Sequence, residues 1–168
     1  MRRRIPICLA VLAALAAAPA AAQAAPDTQQ ATIFLVRHAE TAPDGTRNPP
    51  LSPQGQERAR RLAELLADAG IDAVYSTDYL RTRRTAGSVA ERLTLPVSVY
   101  DPDDLTGFAA ELRAHSGRVL VVGHSNTTPA LVAALGGDPG APIDEEEHDR
   151  LYVLFLADDG VGTVILRY

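Results

Sequence analysis

The sequence has no lysine and one cysteine, and past its first two dozen residues it has no long unbroken apolar run and no internal repeat. Without lysine, all 16 basic side chains are arginines, and they face 21 acidic ones for a formal net charge of −5. An acidic chain lacks the diffuse positive field that non-specific nucleic-acid binding needs, so no nucleic-acid partner is expected. Any anion must instead meet a local group of arginines, which makes their placement informative. The lone Cys8 lies in the N-terminal segment, so the remainder can form no disulfide and do no thiol chemistry. No spacing of His, Cys, Asp or Glu describes a metal site, and neither metal nor cofactor is expected.

What is present begins with Met1-Arg2-Arg3-Arg4, an alanine-rich apolar stretch over residues 5–22, and Ala22-Gln23-Ala24 before Ala25-Pro26. A positive start, a short apolar middle and an A-x-A end describe a secretory signal peptide over residues 1–24. The rival, a retained membrane anchor, is disfavoured because the alanine content makes the stretch only weakly hydrophobic. Residues 25–168 then make one domain, periplasmic or secreted, with no membrane partner after cleavage.

Within that domain strand and helix patterns alternate four times. Ile33-Phe34-Leu35-Val36 and Val119-Leu120-Val121-Val122 are continuous apolar runs of the kind buried in parallel sheets, and shorter strands are predicted over residues 71–75 and 96–100. Ser52-Pro53 opens a first helix, expected to run to Gly70 with Arg58, Arg60 and Arg61 turned outward. Ser76-Thr77-Asp78 offers caps for a second, Asp104 for a third, and Thr127-Thr128-Pro129 opens a fourth. Two final strands flank a turn at Asp158-Asp159-Gly160 and read as an antiparallel hairpin. The pattern predicts a three-layer α/β/α sandwich with a largely parallel sheet.

Three strand ends break into residues suited to phosphate just where a helix begins. The first gives Arg37-His38, a guanidinium fork beside an imidazole. A second gives Ser76-Thr77-Asp78 with Arg81 in the following helical turn, and a third gives Gly123-His124-Ser125-Asn126-Thr127. If these strands are parallel, all three ends share one sheet edge, where open α/β sheets bind ligands.

These stretches resemble the histidine phosphatase superfamily, which includes phosphoglycerate mutase. The resemblance rests on residues 35–41 (Leu-Val-Arg-His-Ala-Glu-Thr), 51–55 (Leu-Ser-Pro-Gln-Gly), 75–86 (from Tyr75-Ser76-Thr77 to Thr85-Ala86) and 121–125 (Val-Val-Gly-His-Ser), in order and spacing. It implies a phosphoryl-accepting nucleophile at His38, phosphate-binding Arg37 and Arg81, a second pocket histidine at His124, and a small phosphorylated substrate. Thr41 and Asn126 are the candidate substrate contacts. Two departures stand out: Ala39 where the family often has glycine, and Asp44 where it commonly has asparagine. The implied reaction is metal-independent hydrolysis of a phosphomonoester through a phosphohistidine, with phosphohistidine phosphatase as the alternative substrate class.

Two readings from other classes compete. Gly123-His124-Ser125-Asn126-Thr127 faintly resembles the nucleophile elbow of a serine esterase using Ser125, but has threonine where the turn prefers glycine and leaves Arg37 and Arg81 without a role. A catalytically silent phosphate-binding module would not need the intact His38. Arg83 and Arg84 read as a solvated helix face, His115 as a helix-end residue favoured by the dipole, and His148 as part of an exposed acidic loop. The expected general acid is Asp101, held at a strand's end by Pro102, because Asp104 is better used as an N-cap. Intact mass or N-terminal sequencing of the extracytoplasmic protein should show a chain starting at Ala25; a membrane-bound chain still starting at Met1 refutes cleavage.

Overall fold

The computed structural model describes residues 31–168; the signal-peptide assignment lies outside the described residues. The elements are β1 (Ala31–Arg37), α1 (Pro53–Leu65), β2 (Ala73–Ser76), α2 (Leu80–Leu93), β3 (Val97–Val99), α3 (Leu105–Ala114), β4 (Gly117–Gly123), α4 (Thr127–Ala134), β5 (Arg150–Ala157) and β6 (Gly160–Arg167). They build one six-stranded sheet of order β3-β2-β4-β1-β5-β6. β1 to β4 are parallel to one another, β5 runs antiparallel to β1, and β6 returns antiparallel to β5. No helix among the described residues is long and apolar enough to cross a membrane.

The apolar runs supply both faces of the sheet because side chains alternate along a strand. Ile33, Leu35, Val119 and Val121 point to one side, where Phe108 and Leu112 of α3, Leu131 of α4 and Leu135 at its C-terminal end cover them. Val36, Leu120 and Val122 point to the other, against Leu62 of α1 and Val89 of α2. Burial on both faces explains why these strands are continuously hydrophobic.

Several local expectations shift. Ser52 caps α1 by accepting from the Gly55 N–H at 3.0 Å, but the helix ends at Leu65 and reaches Gly70 through turns. Arg60 and Arg61 are exposed, whereas Arg58 folds inward onto the Glu40 carboxylate at 2.7 Å. Ser76, Thr77 and Asp78 do not cap α2. The Ser76 hydroxyl donates to the Thr77 carbonyl, Thr77 pairs with the Thr82 hydroxyl, and Asp78 takes the Arg83 guanidinium. The cap comes instead from Asn48, whose Oδ1 accepts from the Leu80 N–H at 2.7 Å. Asp104 caps α3 as expected, accepting from Gly107 N.

Gly55 marks the closest approach between α1 and the segment after β1. A Cβ there would lie 2.1 Å from the Glu40 carbonyl oxygen, a backbone atom that cannot swing aside. Gly55→Ala should therefore destabilise the fold by about 1–3 kcal/mol, the range for overpacking a fixed contact. The urea midpoint measures it, and an unchanged midpoint would contradict the packing described.

Candidate active site

The parallel pairing of β1 with β4 continues one step beyond the strand, where the His38 N–H donates to the Gly123 carbonyl at 2.9 Å. That bond seats His38 beside His124, the residue after Gly123, with ring centroids 5.4 Å apart. Gly123 is confined by its neighbours: a Cβ there would come within 2.9 Å of the Tyr100 and Thr128 hydroxyls.

A cavity of about 380 Å³ opens over this edge. His38, His124 and Arg81 line it with Tyr79, and Ser125, Asn126 and Thr127 form the rim at the start of α4. Pro102 and Asp103 close the remaining side. All three strand ends thus converge on one cavity. Thr41 is not on its wall; it bridges to Leu51 in a small antiparallel contact. Asp101 is exposed and accepts from the Asp103 N–H at 2.9 Å, so the same loop turns Asp103 to the cavity wall instead.

The protonation of His38 follows from its contacts. Its Nδ1 lies 2.8 Å from the Ala39 carbonyl, and a carbonyl can only accept, so Nδ1 carries the proton and Nε2 keeps its lone pair. Burial, then the nearby His124, Arg37 and Arg81, press the His38 pKa down to about 3, against the Ala39 bond that raises it. Burial and the same two arginines lower His124 to about 4. His124 is therefore neutral at pH 7 in the free site, and its Nε2 is buried without a hydrogen-bond partner.

Arg81 stands 4.5 Å over the Tyr79 ring, and Tyr79 meets His124 edge-on at 5.1 Å. These contacts position a guanidinium that is only partly buried. Arg37 is placed differently from the other candidates. It is 9% exposed and does not line the cavity; its Nη1 donates to the carbonyls of Asp144, Glu145 and Glu147 at 2.7–3.0 Å. Its Nε is buried and unpartnered, so an anion's oxygen reaching it would complete its hydrogen bonding. Burial lowers the basicity of both arginines without discharging them.

Other supporting residues were not anticipated. The Thr85 hydroxyl accepts from Ala39 N at 3.0 Å and donates to the Arg81 carbonyl at 2.8 Å, tying the loop after His38 to α2. Its place four residues after Arg81, on the same helix face, was the available signal. His148 is half-buried rather than exposed, and its Nδ1 donates to the His38 carbonyl at 2.8 Å. Asp44 caps its own turn by accepting from Thr46, while Arg81 reaches the Arg47 carbonyl. His115 does sit at the C-terminus of α3, 3.7 Å from Asp72. Arg83 and Arg84 are exposed.

A parallel-edge cavity holding a neutral, Nδ1-protonated histidine beside a guanidinium and a second imidazole is suited to an anion. The model of the histidine phosphatase superfamily (branch 1) matches residues 33–102. Over those residues the chain is similar to that superfamily, and its fold is that of solved members. The probable phosphoglycerate mutase GpmB of Serratia proteamaculans is 38% identical over a 76-residue alignment that covers 42% of this chain and 35% of that protein. The match thus spans about a third of that relative's length. The protein histidine phosphatase SixA complexed with tungstate shares the fold with a TM-score of 0.66 at 22% identity, covering 81% of this chain and 96% of that one. The alpha-ribazole phosphatase from Shigella flexneri does so with a TM-score of 0.68 at 19% identity, covering 82% and 96%.

The depressed histidines couple stability to pH. Below the ordinary histidine pKa of about 6.5 the unfolded chain takes up protons that folded His38 and His124 refuse, so stability falls as pH drops from 6.5 toward 4 and is insensitive to these groups above 6.5. Urea midpoints across that window should decline, and less steeply in His124→Gln. Parallel slopes for the two proteins would refute the assignment.

Proposed function

We propose that the chain is an exported phosphomonoesterase that works without a metal through a phosphohistidine on His38. The observation that carries this is the state of His38: neutral at pH 7, with Nδ1–H fixed on the Ala39 carbonyl and Nε2 left as the nucleophile. Nε2 attacks phosphorus in line as the bond to the ester oxygen breaks. Arg81, the Nε edge of Arg37 and His124 hold the equatorial oxygens, whose charge would otherwise repel the nucleophile. A dianion binding against neutral His124 favours its protonation, which adds a charge-assisted donor where one is needed. Water then attacks the phosphohistidine, the P–N bond breaks, and inorganic phosphate leaves.

An alkoxide leaving group needs a proton, and the cavity wall offers Asp103 rather than the neighbouring Asp101. A phosphohistidine substrate, of the kind the protein histidine phosphatase SixA is named for, would not need that acid, and this is the second reading.

Rapid-quench labelling with a phosphomonoester should give acid-labile phosphate on the protein that is absent in His38→Ala and unaffected by a chelator. Asp103→Asn should lower turnover of alkyl phosphates by about 10²–10⁴-fold and spare aryl phosphates, with Asp101→Asn close to wild type. Equal effects on alkyl and aryl esters, or a larger loss in Asp101→Asn, would remove Asp103 from the role. Activity lost to chelation and restored by a divalent ion would overturn the metal-independent route.

A further inference from the structure

A second cavity, of about 530 Å³, adjoins the phosphate site and shares Ser125 and Asn126 with it. Its floor is one face of α4, with Pro129, Ala130 and Ala133 spaced to align along the helix. Its outer wall is the loop carrying Pro139, Pro142 and Ile143. No charged side chain lines it, and its two side chains capable of strong hydrogen bonding are those at the shared end. It is larger than the phosphate cavity, and small helix residues keep it open.

The wall is held from behind. The Tyr152 hydroxyl donates to the Pro139 carbonyl at 2.8 Å, and Arg150 donates to the Ala141 and Pro142 carbonyls at 2.6 and 3.4 Å. Both anchoring side chains are buried, and Arg150 is itself fixed by the Glu147 carboxylate. Asp138 N donates to the Thr163 hydroxyl and Gly140 N to the Asp138 carboxylate, closing the loop on itself and on β6. An apolar trough whose backbone is tied down and whose wall holds two prolines is preorganised, so little ordering entropy opposes a ligand.

We infer that this trough receives the leaving group of the substrate, and that the substrate is the phosphomonoester of an apolar alcohol, its hydrocarbon lying along α4 while its phosphate sits over His38. The inference rests on reading the site as a phosphomonoesterase. Continuity through Ser125 and Asn126 fixes the occupant as the remainder of a molecule whose phosphate is already bound. The absence of a cation among the lining residues, with Asp144 and Glu145 following Ile143, disfavours a leaving group bearing a second anion. Burial of hydrocarbon then supplies the discrimination, at up to roughly fourfold per methylene.

The test uses the protein over residues 25–168 with n-alkyl phosphates from methyl to octyl, glycerol phosphate and p-nitrophenyl phosphate, and with the matching non-hydrolysable n-alkyl phosphonates for binding by calorimetry. Expected are a kcat/KM rising roughly two- to fourfold per methylene until the trough is filled, a parallel rise in phosphonate affinity, and octyl phosphate far ahead of glycerol phosphate. Ala133→Asp, at an exposed position on the trough floor, should flatten both series while leaving turnover of methyl phosphate, whose leaving group is too short to reach it, unchanged. Ala133→Leu, which keeps the surface apolar, should shorten the preferred chain instead. Turnover of p-nitrophenyl phosphate with no chain-length dependence overturns this inference and leaves the phosphatase standing. A phosphohistidine-bearing protein domain favoured over every alkyl ester does the same. Chain-length-dependent phosphonate binding that Ala133→Asp removes, without turnover of any ester, supports the trough and overturns the phosphatase reading.

Discussion

The site depends first on the register between β1 and β4. Seven paired positions, from Ala31 with Gly117 to Arg37 with Gly123, bring the two apolar runs to their ends together. The next hydrogen bond, from His38 N to Gly123 O, places two histidines in ring contact although they are far apart in the chain. A slip of one residue would reverse the faces to which Leu35, Val36, Val121 and Val122 point, exchanging the partners of both cores. The chemistry at the edge is therefore as well determined as the packing beneath it. Gly123 belongs to the same constraint, since its missing side chain lets the Tyr100 and Thr128 hydroxyls approach.

Much of this was legible from residue order alone. Apolar runs and helix caps at Ser52 and Asp104 mark the alternation, and the alternation by itself puts Arg37-His38, Arg81 and His124 on one edge. The convergence of His38, Arg81 and His124 on one cavity agrees with that reading. What could not be read were choices made by partners distant in sequence. Ser76, Thr77 and Asp78 are good capping types, but their side chains found nearer partners, and the α2 cap fell to Asn48 in a loop without periodicity. Asp101 and Asp103 differ by two positions, and which of them faces the cavity is decided by an Asx turn rather than by residue type.

His148 shows the same limit more sharply. Inside a run of acids it reads as a solvated charge, yet the loop folds back so that its imidazole supports the carbonyl of His38. The loop is pulled inward by Arg37, whose Nη1 gathers the carbonyls of Asp144, Glu145 and Glu147, and by Arg150, which is buried against Glu147. A sequence pattern records the acidity of residues 144–147 but not that their backbone, rather than their carboxylates, is what the arginine holds.

That distinction has an electrical consequence. Carbonyl dipoles can fix a guanidinium in place without cancelling its unit charge, whereas a carboxylate at the same distance would cancel it. Two of the carboxylates that act on Arg37 are matched to other cations, Glu40 to Arg58 and Glu147 to Arg150 and Arg167, while Glu145 acts on it without a direct ion pair. Arg37 is thus immobilised by neutral ligands inside an acidic protein, and the positive potential that its charge generates remains directed at whatever anion enters beside His38.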